Sequence, residues 1–167
     1  MMPANFNEHD AYFGRILRMA FSMEDDLERL IADYFTWPQT SKGFFMERLL
    51  IRTMNARTKT ETLEKICRRQ KVDPELVKTV VKNIVEVRKI RNRIAHEDAT
   101  YNPQTQELRV QTMVDRWNAH DSLLIDEKLV EEVSQKCLNA VHGINQIHLL
   151  VVGKEMPEVS LDEPYVE

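Results

Sequence analysis

The chain has 167 residues, 43% hydrophobic and 30% charged, with a net charge of −4. That length and hydrophobic share suffice for one domain with its own core and exclude a wholly disordered polypeptide. The charge is segregated: residues 1–41 carry 3 basic and 7 acidic side chains, residues 42–93 carry 15 and 6, and residues 94–167 carry 5 and 14. A basic middle between acidic ends fits either an internal match between helices or a surface that collects phosphates.

From Asn7, a candidate N-cap, to about Thr36, Phe13, Ile16, Leu17, Ala20, Phe21, Leu27, Leu30, Ile31, Tyr34 and Phe35 recur at the spacing of a long helix, which Trp37-Pro38 ends. Short helices are expected from Gly43 to Met54 and from Thr58 to Cys67. Asp73-Pro74-Glu75 then starts another helix, with an Asp cap, Pro in the first turn and an acid at the positive end of the dipole. Between Ala99 and Val110 the Asn102-Pro103 turn separates two short stretches that can pair as a hairpin. A last long helix runs from Asp126 to Val152 with Leu129, Val133, Cys137, Ala140, Ile144, Ile147 and Val151 on one stripe. The domain is expected to span residues 1–153, leaving 154–167 as an acidic, disordered tail.

Several chemistries have no sequence basis. The four glycines form no phosphate-cradling loop, and His142 and His148 are six apart, off helical ligand spacing. The longest apolar runs, such as Leu149 to Val152, are too short to span a bilayer. Met1 to Asp10 has no basic flank leading into an apolar stretch, and Cys67 and Cys137 stand apart like buried thiols. A cytoplasmic protein is expected.

The helix after Asp73 carries an anomaly. At about 100° per residue, Val77, Val80, Val81, Ile84, Val85, Val87, Ile94 and Ala95 share one arc, and Arg88 and Arg91 fall inside it. Lys78, Lys82, Lys89, Arg93 and Glu86 take the opposite arc. Guanidinium groups on an apolar arc need a paired environment, a cleft, or a helix that stops packing there.

The spelling Arg91-Asn92-x-x-Ala95-His96, late in a helix that follows a long amphipathic first helix and precedes another, resembles the signature of HEPN domains. Many of these are metal-independent RNases of toxin-antitoxin and other defence systems. The likeness extends over most of the chain in architecture and from Arg91 to His96 in motif. It implies an all-α, up-and-down bundle of four to five helices, here with a small β-hairpin before the last helix. It further implies a metal-independent endoribonuclease in a defence, stress or toxin-antitoxin role, in which the RNA 2′-hydroxyl attacks the neighbouring phosphate. His96 would move the proton, Arg91 would hold the phosphate and Asn92 would orient either. Arg88, Lys89 and Arg93 would add RNA contacts, and no cofactor is called for. The implied partners are RNA, a second copy that completes a composite cleft, and an antitoxin or regulatory protein. In family toxins controlled by modification of a tyrosine, that tyrosine stands two residues after the histidine; Asp98 stands there in this chain, with Tyr101 the nearest tyrosine.

Five residues at about 100° set Arg91 and His96 about 140° apart around an ideal helix. Either the last turn opens near His96 or two copies of the motif meet. The competing structural account has the late arginines and His96 capping the negative end of the dipole, with Arg91 paired to Glu24, Asp25, Asp26 or Glu28. Two other functions stay open: a HEPN-like module that binds RNA or a nucleotide without cutting, and a helical, dimerising interaction protein.

Overall fold

A computed structural model describes residues 4–37, 41–111 and 122–153. Helix α1 spans Ala4–Thr36, α2 Ser41–Met46, α3 Ala56–Arg69, α4 Pro74–His96 and α5 Glu127–Val151, with a π-helical turn at Glu47–Ile51. Strands β1 (Asp98–Asn102), β2 (Glu107–Gln111) and β3 (Ser122–Leu124) form an antiparallel sheet in that order. The molecule is thus mostly helical, and its sheet has one strand more than the expected hairpin. The tail at 154–167 and the region around His120 lie outside the described residues.

Local chemistry sets the helix ends. Asn55, Asp73 and Asp126 each turn a side-chain oxygen onto a backbone N–H of the first turn, and Pro74 occupies a first-turn position where its missing N–H costs nothing. Asn7 is not a cap, because α1 already begins at Ala4. The expected second helix is broken: α2 gives way to the π turn, where the Thr53 hydroxyl donates to the carbonyls of Leu49 and Leu50 at 3.3 and 2.8 Å. Gly43 lets α2 fold back onto α1, since a Cβ there would stand 2.6 Å from Thr36 Oγ1.

Side-chain contacts fix the helix directions. The C-terminal ends of α1 and α5 meet where His148 Nε2 lies 2.9 Å from Asp33 Oδ2, and both N-terminal ends adjoin the sheet, through His9 against Tyr101 and through Ile125 bonded to Leu108. These two helices therefore run parallel. Helix α4 is antiparallel to both, with Arg88 and Arg91 beside Glu24 and Phe21 of α1, and Glu86 and Val80 beside Lys136 and Gly143 of α5. Helix α3 follows α1, with Lys59 at Glu28 and Gln70 at Tyr34.

The core follows most of the stripe the periodicity marked, but Phe21 and Phe35, expected on it, stand exposed. Ile16, Met23, Leu27, Leu30 and Ile31 of α1, Ile84 and Val87 of α4, and all seven expected residues of α5 are buried. Each large apolar side chain so buried contributes about 1.5–3 kcal/mol. Gly143 permits the closest approach: a Cβ there would fall 2.2 Å from Val80 Cγ2. Both cysteines are free and buried.

Strands β1 and β2 pair from Asp98↔Gln111 to Asn102↔Glu107. Their turn is closed by Asn102 Oδ1, which accepts from the N–H of Gln104 and of Thr105, and Gln106 takes the left-handed conformation at φ 57°. Leu108 and Val110 alternate into the core, as one buried sheet face requires.

Candidate functional site at the end of helix α4

Helix α4 runs unbroken through His96 and is closed by Glu97, whose N–H donates to the Arg93 carbonyl. The last turn does not open. Arg91 and His96 therefore leave the helix about 140° apart and about 7.5 Å apart along its axis, and a single copy of the chain does not bring them to a common point.

The two arginines on the apolar arc meet different fates. Arg88 is 6% exposed. Its Nε donates to Glu24 Oε1, its Nη2 to Glu24 Oε2 at 2.9 Å and its Nη1 to the Ala56 carbonyl at 2.6 Å. Beside it Lys59 Nζ lies 2.5 Å from Glu28 Oε1 and 3.9 Å from Glu24 Oε2. This buried quartet holds α1, α3 and α4 together, and the expectation that Arg88 contacts RNA is corrected: the side chain is buried and each of its three nitrogens donates inside the protein. Charge segregation is in this part an internal match between helices.

Arg91, nearly one turn later, has no carboxylate partner among the described residues. All four candidate acids are engaged elsewhere: Glu24 with Arg88, Glu28 with Lys59, Asp26 with Arg29 and Asp25 with Arg52. Arg91 Nε is sealed from solvent without an acceptor among the described residues, and its guanidinium carbon stands 6.0 Å from the Phe21 ring centroid. Phe21 itself is 57% exposed, so the arginine lies half-buried beside an open aromatic face, an arrangement worth about 0.5–1 kcal/mol.

The remaining candidates lie outward. Asn92 and His96 are exposed. Arg93 is paired with Glu97, Nε to Oε2 at 3.1 Å, which removes much of its charge from the RNA role assigned to it. Lys89 is exposed beside Glu86, whose carboxyl is held below its ordinary range mainly by a hydrogen bond from Lys136, with Lys82 and Lys89 adding to the effect. Chemically, this end of α4 offers one guanidinium with unspent donors, one exposed imidazole and one exposed amide.

Sequence reasoning did not find Lys59 or the Glu24–Arg88 partnership. The signal was present, because Glu24 and Glu28 sit one turn apart among Met23, Leu27, Leu30 and Ile31, a buried position for carboxylates that demands buried cations. The His148–Asp33 pair was also missed. No group of three metal-ligating side chains occurs among the described residues, and no described helix is long and apolar enough to cross a membrane. Comparison with protein-family models, curated proteins and solved structures finds no match to the chain.

Proposed function

We propose that the protein is a HEPN-type, metal-independent endoribonuclease acting as a symmetric dimer, with Arg91 holding the scissile phosphate, His96 transferring the proton and Asn92 orienting them. The observation that carries this reading is the contrast between the two arginines. All three guanidinium nitrogens of Arg88 donate inside the protein, whereas the buried Nε of Arg91 has no acceptor among the described residues, and an arginine held half-buried in this way is suited to a phosphate. The unbroken α4 supports a composite site on this reading, in which Arg91 of one protomer faces His96 of the other. The biological setting is a defence, stress or toxin-antitoxin role, with a regulatory protein as the further partner.

Incubation of the purified protein with single-stranded RNA tests this. Cleavage should persist in EDTA and leave 2′,3′-cyclic phosphate ends, and His96→Ala and Arg91→Ala should each lose about 10²- to 10⁴-fold in rate while remaining folded dimers by light scattering. Activity abolished by EDTA, or retained in full by His96→Ala, refutes the mechanism.

A second reading, a helical interaction protein, draws on the apolar surface where α1, α2 and the π turn meet. Phe35, Trp37, Phe45, Leu49 and Leu50 are each more than half exposed there. It is favoured if the protein shows no RNA affinity. RNA affinity that falls steeply with salt, without cleavage, selects the non-catalytic RNA-binding module instead.

A further inference from the structure

A cavity lies at the opposite end of α4 from Arg91. Between the end of α3 and the start of α4 is a cleft of about 440 Å³, within the range of small-molecule sites. Its walls are aliphatic, formed by Val72, Pro74, Val77 and Val81. Cys67 closes the bottom at 1% exposure. Burial, followed by the charge of Glu64, pushes that thiol up to about 12, so the bottom of the cleft is neutral at physiological pH.

The rim is cationic. Arg68, Lys78 and Lys82 border the cleft against the single carboxylate of Glu64. Lys78 stands 3.7 Å from Glu75 and Lys82 4.0 Å from Glu86, with both lysines about three-quarters exposed. Pairs of that kind hold their partners weakly and are readily exchanged for a ligand anion.

We propose that this cleft binds an aliphatic carboxylate, with the hydrocarbon chain along Val72, Val77 and Val81 and the head group among Arg68, Lys78 and Lys82. Aliphatic walls recover hydrophobic energy only from an apolar body, and three rim cations select an anionic end. A nucleotide fits less well, because the lining has no aromatic ring to stack a base and no amide or hydroxyl to read one. The site is separate from the C-terminal end of α4 and stands whether or not the ribonuclease reading holds.

Isothermal titration of the full-length protein with octanoate, decanoate and dodecanoate below their micellar concentrations tests the assignment. Affinity should rise by up to about fourfold per added methylene until the cleft is filled, and dodecanol should bind several-fold more weakly than dodecanoate. The double variant Lys78→Gln/Lys82→Gln, altered only at exposed positions, should weaken dodecanoate severalfold and leave dodecanol unchanged. Val81→Asp should lose dodecanoate binding more than tenfold; should that variant not fold, the lysine variant decides. No saturable binding of dodecanoate, equal affinity for acid and alcohol, or affinity unaltered in the lysine variant overturns the proposal.

Discussion

Replacing Glu24 by glutamine removes one charge from the buried quartet while nearly preserving its shape. Arg88, at 6% exposure, then retains the Ala56 carbonyl but loses its carboxylate, while Lys59 keeps Glu28, which Arg52 also approaches at 3.4 Å. Breaking a buried ion pair by removing one partner costs about 3–5 kcal/mol, against a total stability of about 5–15 kcal/mol for a domain. Because glutamine can still accept one hydrogen bond, we take the lower end, about 3 kcal/mol, which for a domain of this size lowers Tm by roughly 6–12 °C. Urea titration followed by circular dichroism measures the change directly. The double variant Glu24→Leu/Arg88→Leu should recover most of the loss, since two apolar side chains leave no orphaned charge. Arg91→Ala, which breaks no ion pair among the described residues, should cost far less than Glu24→Gln. A loss below about 1 kcal/mol for Glu24→Gln, or a double variant no more stable than the sum of its single changes, refutes the account of the quartet.

Gly143→Ala should destabilise by about 1–3 kcal/mol through overpacking against Val80, and Val80→Ala in the same chain should relieve part of that loss in a thermal melt. The thiols of Cys67 and Cys137, raised by burial to about 12 and about 11, should resist a disulfide reagent at pH 8 in the native protein and react at once in denaturant. Their raised values also predict falling stability as pH climbs above the ordinary thiol value, because only the unfolded chain then releases those protons. Glu86→Gln should cost about 0.5–1 kcal/mol at pH 7. Glu86 is depressed by Lys136, so its contribution is present above the ordinary value of 4.5 and fades as pH falls through the lower folded value. Lys136 is raised, first by Glu86, so its share is full below 10.5 and is lost as pH rises through the folded value. A wild-type-to-variant difference in urea midpoint that persists unchanged in strong acid contradicts this.

Much of the helical order was legible because its signals are local. Asp73-Pro74, Asp126 and the stripe from Leu129 to Val151 act through hydrogen bonds and burial within a few turns, and the structure places them as expected. Strand β3 escaped because three residues give no period, and its pairing to β2 is set by Arg109↔Leu124 and Val110↔Leu123 across the sheet. The π turn escaped because it depends on how α2 folds back on α1 through Gly43. At the candidate site, periodicity flagged both Arg88 and Arg91, yet only tertiary contact shows that one is buried against a carboxylate and the other lies beside Phe21. Glu24 faces Arg88 because α1 and α4 are antiparallel in one register, and a shift of one turn would have delivered it to Arg91.

The parallel contact of the first and last helices, the most extensive between any two elements, has a bearing on how the chain folds. Two parallel helices so far apart in sequence meet only after everything between them has been traversed, so the loop-closure entropy is large and the contact order high for a helical protein. During synthesis the apolar stripe of α1, from Ile16 to Ile31, emerges early and waits for α5, which completes the core at Val151. Helices α3 and α4 can cover part of it sooner through Lys59 and Arg88. Truncation within α5 should therefore yield an aggregation-prone intermediate, with α1, α3 and α4 joined by the quartet and the α1 stripe open to neighbouring chains.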